Sequence, residues 1–257
     1  MKADLFKEAQ ELTSSDADRA RRALFAICEA SCPQRVMIER DAVEYIPVLF
    51  EAGLSVTTLI TPEIFFSLGR IHTQALWGWK DAQLHTSPEH RSKYDEMVAW
   101  ETSVAAAYER YLPAVVALVE RGEEVRDRCA GVYLLSQMKE HRNDLVGFLR
   151  SQFDDSLDAR LKVDIIEALA NLGFGTGPMD EVGQAVHQWV RGKLSDPSPA
   201  IRLGALLSLS PRVDDDQRKS LKRDIVQTFT AGRAVVNEAV WLLEGSIAWA
   251  IRREISD

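Results

Sequence analysis

The sequence predicts an all-α chain, a right-handed α-solenoid of stacked antiparallel helix pairs, and three observations carry that prediction. Helix punctuation is dense: Thr61-Pro62-Glu63, Ser87-Pro88-Glu89 and Ser198-Pro199 each place a hydroxyl residue before a proline, the order of an N-cap and a first helical position. Strand punctuation is nearly absent, since the one β-leaning run, Val56-Thr57-Thr58-Leu59-Ile60, is too short and isolated to found a sheet. Apolar residues recur at spacings of three and four, as at Val163, Ile166 and Ala170.

The elements follow in order. Helices are expected over 3–13, 16–30 and 40–52, then over 62–76 and 88–110 behind their Ser/Thr-Pro openings. A helix over 112–120 stops at Arg121-Gly122, and two more are expected over 123–138 and 142–153. The next, 156–172, ends at Asn171-Leu172-Gly173; beyond it lie 179–195 and 198–209. Two helices at 214–230, closed by Ala231-Gly232, and 234–255 complete the C-terminal end. The glycine cluster from Gly173 to Pro178 reads as a linker, because no strand precedes it and it lacks the lysine of a phosphate loop.

Composition bounds the function. At 257 residues, with 46% hydrophobic and 27% charged side chains, the chain can bury a core and is not disordered. The net charge of −8 argues against a generic binder of nucleic acid or anionic membrane. Neither part is basic: residues 1–120 carry 12 cationic and 18 anionic side chains, and the remainder 19 and 21. The charged start lacks the apolar stretch of a signal peptide, and no window suits a membrane span. Three cysteines make no disulfide framework, and Cys28 and Cys32 have no second pair with which to hold zinc. The expectation is a reduced, cytoplasmic protein that uses no cofactor and no metal.

The helices come in similar pairs. Glu120…Val125-Arg126…Cys129, Asp154…Ala159-Arg160…Val163 and Asp196…Ile201-Arg202…Ala205 share an acid six residues before an arginine and an apolar residue just ahead of it. The arginines lie 34 and 42 residues apart, a period suited to helical hairpins that must stack to bury their apolar faces. Asp196-Pro197-Ser198-Pro199-Ala200-Ile201-Arg202 is similar to the turn and second-helix start of a bacterial HEAT repeat, and Glu123–Ala130 and Asp154–Arg160 resemble it too. The chain thus resembles HEAT-repeat proteins, as one solenoid domain over 1–257: divergent repeats over 1–110 with an insertion near 77–90, the clearest repeats over 111–213, and capping helices over 214–257. The resemblance implies that Asp154, Arg160, Asp196 and Arg202 tie adjacent repeats together.

Two candidate partner surfaces emerge. On a wheel of the helix from Ser156, Arg160, Asp164, Glu167 and Asn171 form one polar stripe on an otherwise apolar circumference. The equivalent stripe one repeat earlier is Arg126, Ala130, Tyr133 and Gln137, and the two are expected to line a concave groove with Tyr133 as aromatic anchor. The second surface is the insertion, where His72, Trp77, Trp79, Lys80, His85 and His90 gather within Ile71–Tyr94. A metal site from His72, His85 and His90 is disfavoured by their irregular spacing. The apolar run Val240–Trp249 reads as a cap, or else as a dimer contact.

No nucleophile elbow, Walker loop, dinucleotide fingerprint or zincin motif occurs, so no catalytic residue is nominated. The favoured expectation is a non-catalytic scaffold or adaptor, monomeric or weakly dimeric, whose groove binds another protein or peptide. One alternative is an immunity or antitoxin-like protein masking a basic toxin surface. The other is a helical-repeat enzyme, similar to alkylpurine DNA glycosylases or bilin lyases, or acting on a peptide or metabolite.

Overall fold

A computed structural model describes residues 5–174, 179–210 and 215–236. Every regular element among the described residues is helical, and no helix is long and apolar enough to cross a membrane. The chain divides into two compact units, Met1–Leu118 and Val119–Asp257.

The first unit holds α1 (Leu5–Glu11), α2 (Ala17–Ser31), α3 (Ala42–Gly53), α4 (Thr61–Gln74), α5 (Gly78–Leu84) and most of α6 (Asp95–Arg121). Helix α2 starts where the Asp16 carboxylate accepts from the amides of Asp18 and Arg19, at 2.9 and 3.2 Å. It buries Ala20, Ala23, Leu24 and Ile27, a three-and-four stripe, and packs against α1, α3 and α4. Helix α6 is pinned to α4 and α3. Tyr108 donates to the Leu68 carbonyl at 2.7 Å, while Tyr111 stacks on Phe50 and donates to Glu51 at 2.8 Å.

The second unit holds α7 (Val125–Gln137), α8 (Arg142–Asp155), α9 (Ala159–Gly173), α10 (Glu181–Gly192), α11 (Pro199–Leu209) and α12 (Asp215–Val236). Helix α9 packs against α7, α8, α10, α11 and α12. Helices α7, α9 and α11 are covered around most of their circumference: every residue from Cys129 to Met138 and from Leu203 to Leu209 is buried. Helices α8 and α10 bury one edge only, Leu145, Val146, Leu149, Gln152 and Phe153 on the first and Gly183, Val186 and Val190 on the second. The unit is therefore a layer of enclosed helices with α8 and α10 outside it.

Several boundaries differ from the sequence expectation. The helices expected over 88–110 and 112–120 are one helix, α6, which runs through Pro113. Pro113 is exposed, and its ring costs the helix one amide donor. The stretch Pro88–Tyr94 is a 3-10 turn, and the insertion contains the short helix α5. Thr61 and Ser198 are followed by proline as expected, yet neither hydroxyl makes a capping bond; Thr61 already lies within α4. Aspartates cap instead, at Asp16, Asp158 and Asp180. Gly232 does not stop a helix: α12 continues through it to Val236. A Cβ at Gly232 would stand 2.8 Å from the Pro199 carbonyl oxygen, so the glycine lets α12 lie directly on the start of α11. The apolar run Val240–Trp249 and the linker residues 175–178 lie outside the described residues.

Candidate functional site

The insertion is stapled into the first unit by its own candidate residues. Glu101 of α6, fully buried, accepts from the amides of Trp79 and Lys80 at 2.7 and 2.9 Å and so caps the first turn of α5. Burial raises the Glu101 carboxyl above its ordinary value, against the lowering effect of those two amides. The Trp79 indole donates to the Ile38 carbonyl at 2.6 Å, so both its main chain and its ring nitrogen are committed to the fold. His72 packs edge-on against Tyr108 at 4.8 Å. His85 Nδ1 lies 2.9 Å from the Asp81 carbonyl. Trp77 stays exposed, with the Lys80 ammonium 4.7 Å from its ring. No group of three potential metal ligands among the described residues includes His72, His85 or His90.

The polar stripe of the second unit corrects the groove expectation. Tyr133 and Asp164 are fully buried and Gln137 is 6% exposed, so these three offer no surface to a partner. The physical reason is the enclosure of α7 and α9, which a wheel drawn for one helix does not contain. Gln137 donates to the Ser136 hydroxyl at 2.9 Å, and that hydroxyl donates to the Tyr133 carbonyl at 2.6 Å. Asn171, half-buried, donates to the Ser136 carbonyl at 3.0 Å and ties α9 to α7. Asp164 accepts from the Cys129 thiol; burial first, then this neighbouring carboxylate, push that thiol far above its ordinary value, while Arg160 opposes them. Arg126 is exposed, and Arg160 and Glu167 are half-buried.

The ties between hairpins also run differently from the resemblance. Arg202 returns to its own turn, donating to the carbonyls of Asp196 and Pro197 at 2.6 and 3.0 Å. Asp154 is exposed, and Asp158 caps α9 through the amides of Arg160 and Leu161. Besides the Asn171 bond, Arg142 and Arg150 link one pair to the next: the Arg142 guanidinium grips both Asp180 oxygens at 2.7 and 2.6 Å, and Arg150 donates to the Ala185 carbonyl at 2.8 Å.

A feature that sequence reading missed lies on α8, α9 and α10. Phe153 and Trp189 meet edge to face, with ring centroids 4.9 Å apart. The Lys193 ammonium sits 4.2 Å from the Phe153 ring and 4.4 Å from the Trp189 ring. Lys162 approaches the same Phe153 ring at 4.7 Å, and the Arg150 guanidinium lies 5.9 Å from Trp189. The two ammonium groups are thus separated by at most about 9 Å. At that spacing they repel by ~0.5 kcal/mol in water and ~2 kcal/mol at a protein-surface dielectric. Among the described residues no carboxylate forms an ion pair with Arg150, Lys162 or Lys193, and burial pulls the Arg150 guanidinium below its ordinary value. The sequence does hold a faint signal, in the pairs Arg150/Phe153 and Trp189/Lys193 at helical spacing, but only the packing of two hairpins unites them.

Comparison with protein-family models, curated proteins and solved structures finds no match.

Proposed function

We propose that the second unit is a HEAT-like α-solenoid segment and that the protein acts as a non-catalytic binder of another protein or peptide. The observation that supports this reading is the repeated construction of α7–α8 and α9–α10, in which one helix of each pair is enclosed and the other faces outward. Successive pairs are tied by Arg142 to Asp180, by Arg150 to Ala185 and by Asn171 to Ser136, so the outward helices hold a fixed spacing. Solenoids use such extended, preorganised surfaces for recognition. With Tyr133, Gln137 and Asp164 enclosed, the binding face comprises the outward sides of α8 and α10, together with Arg126 and the accessible parts of Arg160 and Glu167.

The test is capture on the immobilised full chain from lysate of the source cells at low and moderate salt. One stoichiometric protein, released by salt and lost on Arg126→Glu with Glu167→Arg, is the expected result. Capture of nothing at either salt would overturn the reading and turn the search to small ligands.

A further inference from the structure

We propose that the Phe153–Trp189 cluster is a recognition site for an acidic segment of a partner protein, whose carboxylates are received by Lys162, Lys193 and Arg150. The inference rests on the reading of the chain as a protein binder and names the chemistry of the partner.

Three features of the cluster carry it. Its three cations come from α8, α9 and the turn Lys193–Ser195, and converge on one pair of rings, Phe153 of α8 and Trp189 of α10. Arg150, Lys162, Trp189 and Lys193 are all half-buried, hence both positioned and reachable. Among the described residues no carboxylate forms an ion pair with the three cations, in a protein whose net charge is −8. Two acids of the same unit are committed to the fold: Asp158 caps α9 and Asp180 pairs with Arg142. Like charges held against aromatic rings repel one another, and a carboxylate placed among them relieves that repulsion while the rings exclude water.

Charge around the site selects peptide over nucleic acid. A polynucleotide carries a phosphate at every step and needs a cationic track. Here Asp154, Asp155 and Glu181 are exposed on the same helices, α8 and α10, and oppose a continuing phosphate backbone. A short run of Asp or Glu with apolar neighbours meets the three cations and two rings without that penalty.

The experiment uses the full chain and a fluorescein-labelled peptide of three consecutive glutamates flanked by leucines, read by anisotropy at low salt. Expected is saturable binding that weakens at least tenfold in the Lys162→Glu, Lys193→Glu double variant, and also in Trp189→Leu. Lys139→Glu, an exposed charge reversal away from the cluster, leaves binding unchanged. Thermal unfolding of each variant guards against loss of fold; should the double variant melt early, Lys162→Met and Lys193→Met replace it. Absence of saturation, equal binding by the variants, or tighter binding of a labelled octathymidylate would each overturn the proposal. The two readings fail separately. A partner captured as well by the double variant as by the natural chain removes the cluster and leaves the binder. Peptide binding at the cluster with no protein captured at any salt removes the binder and leaves an anion site.

Discussion

Glu101 shows how a single buried carboxylate can hold an insertion in place. Its two oxygens accept the amides of Trp79 and Lys80, groups at the start of α5 that no helical carbonyl can reach. Glu101→Gln keeps the shape but turns a donor toward one of the two amides, and is expected to lower stability by about 1–3 kcal/mol in chemical denaturation at acidic pH. The pH dependence has a definite sign. Burial raises this carboxyl, so the folded state keeps its proton to higher pH than the unfolded chain. Its contribution is full below the ordinary glutamate value of 4.5 and is lost as pH rises through the elevated one. The difference in stability between natural chain and variant should therefore shrink as pH rises through that window. Asp180 behaves in the opposite way. The bond from Arg142 and then the Gly183 amide lower its carboxyl, so its contribution is present above the ordinary aspartate value of 3.8 and disappears as pH falls through the lowered one. Asp180→Asn is expected to flatten the acid limb of the stability curve, measured by urea unfolding from pH 5 down to pH 2.

At the scale of the element, a glycine near a helix end illustrates why some of the fold was legible and some was not. Gly173 and Gly232 look alike in sequence. The first does end α9, whereas the second lies inside α12 against the Pro199 carbonyl. Local pattern separates helix from strand well, because three-and-four spacing and proline position act within one turn of chain. It cannot say which glycine lets two helices touch. The same limit hid the burial of Tyr133 and Asp164, since a wheel finds the polar face of α9 but not the helices that cover it. It also hid the cation–aromatic cluster, whose members come from separate hairpins. Two substitutions test the element-scale readings. Gly232→Val would put its Cβ 2.8 Å from the Pro199 oxygen, and is expected to cost about 1–3 kcal/mol by forcing α12 off α11. Pro113→Ala supplies the missing amide to a 27-residue helix at an exposed position, and is expected to raise the melting temperature.

The whole molecule carries one buried thiol in each compact unit, and these make the division testable without cutting the chain. Cys32 belongs to Met1–Leu118 and Cys129 to Val119–Asp257, and both are buried, while Cys28 is half-exposed. In the native protein Cys28 should react first with an aromatic disulfide reagent. Cys129 should stay inert, because burial and the Asp164 carboxylate hold it in the thiol form and only the thiolate attacks. Each unit has its own core, Ile46, Phe50, Phe65 and Tyr108 in the first and Tyr133, Leu149, Ile166 and Leu203 in the second, and units with separate cores need not unfold together. Pulse labelling along a urea gradient is therefore expected to expose Cys32 and Cys129 at different midpoints. Gly232→Val should move the Cys129 midpoint to lower urea and leave that of Cys32 in place. If both thiols appear at one midpoint and shift together in the variant, the chain unfolds as a single cooperative body, and the strain at α11–α12 is shared across all of it.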